Sequence, residues 1–144
     1  MKENIIGLLR LGIYSCIIMN QTEIRKFWQP GIMDLYRLHL HPDLFSNGAT
    51  IADKVIGIAA AALIIKVGIK KAYAEVISLP AAKLLRDANV EVDYVQMVPV
   101  IENKRRTDWC PLEKLCLSAQ GIEEIISLIE KFMLENEIKN INKK

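Results

Sequence analysis

Histidine and patterned cysteine are almost missing from this chain. It has two histidines, His39 and His41, and three cysteines, Cys16, Cys110 and Cys116, with no CxxC pair among them. An odd, unpatterned set of cysteines argues against a disulfide framework and for free thiols in a reducing compartment, so a cytoplasmic protein is expected. An excess of one charge is also lacking: 19 basic against 17 acidic residues leave a net charge of +2. That is too little for a general nucleic-acid binder, and the visible surplus sits in Lys104-Arg105-Arg106 and Lys143-Lys144. The longest apolar run, Val55 to Ile65, reaches about half the ~20 residues of a membrane span and is closed by Lys54 and Lys66. Only Lys2 precedes the short Ile5 to Leu11 stretch, Arg10 breaks it, and no small-residue cleavage pattern follows, so a signal peptide is not expected. A glycine-rich phosphate loop, a serine-centred elbow and a paired-carboxylate motif are likewise missing.

What is present suits one well-buried domain spanning residues 1–144: the length is near the common domain size and 51% of the residues are apolar. Ile5, Leu8, Leu9 and Leu11 before Gly12 predict a short first helix. Ser15 to Met19 and Glu23 to Trp28, joined by Asn20-Gln21-Thr22 and stopped by Pro30-Gly31, predict a hairpin. Helical spacing covers Ile32 to His39, and a loop spans Asp43 to Gly48. Ala49 to Ile51 suits a very short strand or the approach to a helix that Asp53 caps and Gly68 ends. A strand over Lys71 to Ile77 leads to a helix with Ser78 as N-cap and Asn89 at its end. Val90 to Val98 begins the next strand, extended by Pro99-Val100-Ile101. Cys110-Pro111 opens a short helix, Gly121 separates it from a last amphipathic one, and residues 136–144 are expected to fray. This alternation of strands and helices reads as a layered α/β domain.

Two predicted helix starts carry the chemistry. A helix N-terminus offers free N–H groups and partial positive charge, which bind anions and stabilise a thiolate. Asp53, Lys54 and Gly57 mark one start, Cys110 and Glu113 the other. Cys110 is the candidate nucleophile or redox-sensitive thiol, against the plain reading of a buried apolar residue beside Trp109. Asp53 or Glu113 would move protons, unless Asp53 merely caps its helix and Glu113 closes a capping box on Cys110. The Lys54 ammonium must find a carboxylate, a carbonyl or an anionic ligand, and Glu113 would serve as a purely structural partner. Gly57 permits close approach of a backbone or ligand, while Asn103 and Arg105 would join the site if their loop folds over it. Asp53, Cys110 and Glu113 in sequence are poor support for a metal, and His39-Leu40-His41 has the wrong spacing for a helical metal pair, so neither metal nor cofactor is expected.

The strings Ala52-Asp53-Lys54-Val55-Ile56-Gly57, Ala72-Tyr73-Ala74, Val98-Pro99 and Cys110-Pro111-Leu112-Glu113 resemble, in order, the domain of unknown function 1893 family. The resemblance implies a three-layer cytidine-deaminase-like fold, with a central mixed sheet flanked by helices, but no established activity. Zinc deaminases use His or Cys with Glu two residues on, together with Pro-Cys-x-x-Cys, and this chain has neither. The leading expectation is therefore a module that binds a small anionic or nucleotide-like ligand at the helix starts. An enzyme with Cys110 as nucleophile and a structural or regulatory subunit are the alternatives. An open sheet edge would permit pairing of two copies, although no residue specifies it.

Overall fold

The computed structural model describes residues 2–29, 32–102 and 110–142. Helix α1 (Lys2–Arg10) leads to a hairpin of β1 (Cys16–Met19) and β2 (Ile24–Phe27), then α2 (Met33–Leu40). Three strands follow, β3 (Thr50–Ile56), β4 (Lys71–Ser78) and β5 (Glu91–Val98), with α3 (Ile58–Lys66) and α4 (Leu79–Asp87) as the crossovers between them. The chain closes with α5 (Pro111–Cys116) and α6 (Ile122–Asn142). The helix therefore runs through most of the segment expected to fray, whereas Lys143-Lys144 lie outside the described residues.

The sheet is mixed and five-stranded, in the order β2-β1-β3-β4-β5. β1 runs antiparallel to both β2 and β3, while β3, β4 and β5 are parallel, as crossover helices require. The hairpin turn is set by Asn20, whose Oδ1 accepts the N–H groups of Thr22 at 2.9 Å and Glu23 at 2.8 Å. One sheet face carries the main core, in which seven residues of α3 from Ile58 to Ile64 are all buried. Such an apolar helix must be covered on most sides, and α2, α4, α5 and α6 supply the cover. On the other face, Ile5 and Leu9 of α1 pack on Ile17, Met19, Ala52 and Tyr73. The result is three layers, helix, sheet and helix. β5 is an open edge strand, with Val95 67% exposed. Among the described residues no helix is long and apolar enough to cross a membrane.

The main departure from the sequence reading lies at the start of α3. Asp53 is not a helix N-cap; it and Lys54 lie within β3, which extends to Ile56, and Gly57 is the N-cap. Ser78 does cap α4, its Oγ accepting the Ala81 N–H at 3.3 Å. Asn89 turns the chain out of α4 in a left-handed conformation (φ 62°), which asparagine tolerates. β5 stops at Val98, and Pro99-Val100 form a bend rather than more strand.

Candidate functional site

At the carboxyl ends of the parallel strands, the region where open α/β sheets usually bind ligands, lies a cavity of about 510 Å³. Asp53, Lys54, Gly57, Cys110 and Glu113 all line it, so most of the candidate site residues meet around one space. Asn103 and Arg105 fall outside the described residues, as do Lys104, Arg106, Thr107 and Trp109. The remaining walls are largely apolar, including Ile13, Trp28, Ile32, Val55, Ile101 and Leu112.

Glu113 forms the floor. It is 3% exposed, and its Oε1 accepts hydrogen bonds from the Ile58 N–H and from Ser78 Oγ, both at 3.2 Å. Gly57 has no side chain to cap α3, so a carboxyl from α5 does it across the cavity. Ser78 meanwhile caps α4 and donates to the same oxygen, tying the starts of α3 and α4 to α5. This corrects two readings: Glu113 closes no capping box on Cys110, whose N–H goes to the Ile101 carbonyl at 2.7 Å, and it does not pair with Lys54. Gly57 is required here by close approach, not by its torsions. A Cβ at that position would collide with Glu113 Oε2 and come within 3.4 Å of Ile101 Cγ1. Burial raises the Glu113 pKa above the usual carboxylate range, and the two hydrogen bonds oppose that rise.

Asp53 forms one wall. It is 8% exposed and stands opposite Cys16 in the β1–β3 register and opposite Ala74 in β3–β4. The Val55 N–H reaches its Oδ1 at 3.4 Å, a long contact. Burial pushes its pKa up to about 7, against hydrogen bonds from the Val55 and Lys54 amides, and nearby Asp34 of α2 adds to the rise. Asp34 is itself raised, mainly by burial, and its Oδ2 is buried with no hydrogen-bond partner. Burial, then the charges of Asp53 and Asp34, also push the Cys16 thiol up. Near neutral pH, then, Asp53 is poised to hold or release a proton.

Lys54 reaches along the rim and donates from Nζ to the Gly12 carbonyl at 3.2 Å, the carbonyl solution among those open to it. Cys110 is half-buried at the N-cap of α5 and makes no side-chain cap bond. Among the described residues, no group of three or more His, Cys, Asp and Glu side chains is placed to hold a metal ion. His39 lies elsewhere, 3.4 Å from Glu130 of α6. Sequence reasoning had Ser78 as a helix cap only; its second role depends on Glu113, 35 residues away, which no local pattern reports. Trp28 stands 63% exposed at the cavity rim.

Comparison with curated proteins gives no match. Among solved structures, a DUF1893 family protein from Thermotoga maritima superposes with a TM-score of 0.80 at 26% identity, over 90% of this chain and 88% of that one. The family model described as domain of unknown function (DUF1893) matches residues 4–133. With nearly its whole length matched, the chain belongs to the DUF1893 family.

Proposed function

We propose that the cavity between β3 and α5 is a binding site for a small polar molecule. The observation that carries this reading is the convergence of two buried carboxyls, Asp53 and Glu113, on one largely apolar space of about 510 Å³. Volumes of this order suit metabolite-sized ligands, and a few polar groups in an apolar lining supply orientation. The ligand is nucleotide-like in size. An anionic substituent would meet Lys54 at the rim, because the N–H of Ile58 at the α3 start is already taken by Glu113. The cytidine-deaminase-like layout enters this reading as architecture alone; it lends no reaction. Free cysteines fit a reducing, cytoplasmic setting.

A fragment screen by ligand-observed NMR tests the proposal. Hits should lose binding in Val55→Trp, which fills the cavity from a half-exposed lining position. Hits that bind this variant unchanged would place the ligand elsewhere and end the reading.

A second reading, an enzyme with Cys110 as nucleophile, draws on its place in the same cavity as Asp53, a candidate proton acceptor. Lys54 would then stabilise developing negative charge. Native-state alkylation with iodoacetamide separates the two: a Cys110 that reacts no faster than a free thiol leaves no activated nucleophile. A purely structural role accounts for the Glu113 ties but not for a buried acid at Asp53 held by amides of its own strand.

A further inference from the structure

The two edges of the sheet are finished differently. β2 is four residues long and carries Arg25 and Lys26, with Arg25 tied to Glu23 and Asp43. Short length and basic side chains are how sheets keep an edge from pairing with another chain. β5, at the opposite edge, is eight residues long, carries no basic residue and leaves Tyr94 and Val95 exposed at its middle. Among the described residues no strand lies beyond it, so the sheet has a guarded edge and an unguarded one.

An unguarded edge names no partner by itself, but the charges around β5 do. Its acids, Glu91 and Asp93, stand in the first half, while Gln96, Met97 and Val98 in the second half carry no charge. Parallel pairing of two copies would set each acid against its own counterpart. Antiparallel pairing about Val95 instead brings Glu91 of one copy to Pro99 of the other. At that end Pro99 lines a groove with Leu79, Lys83, Arg86 and Asp87 of α4 and with Leu117. Asp87, the one acid there, is held by Lys83 at 2.9 Å. Leu79 and Leu117 are exposed, so apolar surface continues from the strand onto the groove.

We infer that two copies of the chain pair through β5, antiparallel across a two-fold axis near Val95, and join their five-stranded sheets into one. The symmetry makes the contact self-complementary: the acidic end of each strand meets the Lys83 and Arg86 groove of the other copy, twice over. β2 stays at the outer rim of the joined sheet, where its basic residues keep further copies away.

Sedimentation equilibrium on the full chain tests the inference. The parent should sediment as a dimer that added salt weakens, because the contact between Glu91 and the groove is screened. Val95→Lys changes a side chain exposed in the single copy and sets two ammoniums against each other, so the dimer Kd should rise at least about tenfold. Ile24→Lys, exposed on the β2 edge, should change nothing. Glu91→Arg and Arg86→Glu should each weaken the dimer, and the two together should restore it, which local loss of structure would not do. Amide hydrogen exchange reads the backbone pairing separately: residues 91–98 should slow as the protein is concentrated while residues 24–27 keep their rate. If Val95→Lys misfolds, this comparison on the parent carries the test. A parent chain that stays monomeric overturns the assignment, as does a dimer that Val95→Lys leaves unchanged or Ile24→Lys dissolves. So does a dimer whose 91–98 amides exchange at the monomer rate, or a pair of charge reversals that fails to restore it.

Discussion

The two buried carboxyls of the cavity are served very differently. Glu113 on the floor spends one oxygen on two donors and thereby joins the starts of α3 and α4 to α5. Asp53 on the wall receives only amides from its own stretch of strand, one of them at 3.4 Å, and faces a further raised carboxyl at Asp34. Both are lifted by burial, but the first is built into the frame and the second is held in reserve. The difference teaches that burial of an acid is not by itself a sign of function. What separates the two is whether the fold itself uses the charged or polar atoms.

The contrast breaks most sharply at Glu113. Replacing it with Ala strips the Ile58 N–H and the Ser78 hydroxyl of their acceptor and empties part of the floor, so urea unfolding should show a loss of about 2–4 kcal/mol. Asp53 should behave in the opposite sense. Its pKa rises from 3.8 to about 7 on folding, so the unfolded chain releases this proton first. Stability from this group is fully present below about pH 4 and is lost as pH rises through about 7. Asp53→Asn should therefore gain on the order of 2–4 kcal/mol over the parent at pH 8 while differing little at pH 4. Denaturation midpoints that shift equally at both pH values would show that Asp53 is not held protonated.

Gly57→Ala sharpens the floor side. Its methyl group meets Glu113 Oε2, so a destabilisation of about 1–3 kcal/mol is expected by thermal or urea melting, larger than a simple helix N-cap change would give. Ser78→Ala removes a cap and one donor to Glu113 and should cost about 1–2 kcal/mol. A double-mutant cycle with Glu113→Gln should show the two changes to be non-additive. The smallest effect belongs outside the cavity: Lys66→Ala breaks a solvent-exposed 2.7 Å pair with Glu123 and should move stability by less than about 0.5 kcal/mol.

Much of the layout was legible from punctuation. Gly12, Gly68, Ser78, Asn89 and Pro111 placed the element boundaries because turns and caps leave residue-specific traces, whereas Pro30-Gly31 lie outside the described residues. The start of α3 was misplaced for a reason equally physical. Val55 and Ile56 end a buried parallel strand and Ile58 to Ile64 form a buried helix, so both sides of Gly57 are apolar and no period separates them. Reading Asp53 as an N-cap followed from that. The Gly57 and Cys110 segments, 53 residues apart, line one cavity. Capping of α3 by Glu113 was not legible, because a carboxyl 55 residues away leaves no local mark. Lys54 had a backbone carbonyl among its open options, and only the packing of the Gly12 turn against β3 selects it.

Ser78 has one further consequence. Its hydroxyl accepts from the Ala81 amide, so its single hydrogen is directed at Glu113 Oε1, which also receives the Ile58 amide. An oxygen already facing two donors has no room for a hydrogen of its own, so Glu113 can carry one only at Oε2. Titrating this side chain therefore toggles the floor between hydrogen-bond acceptor and donor while the cap on α3 stays as it was. The fold uncouples the cap on α3 from the protonation of the carboxyl that supplies it.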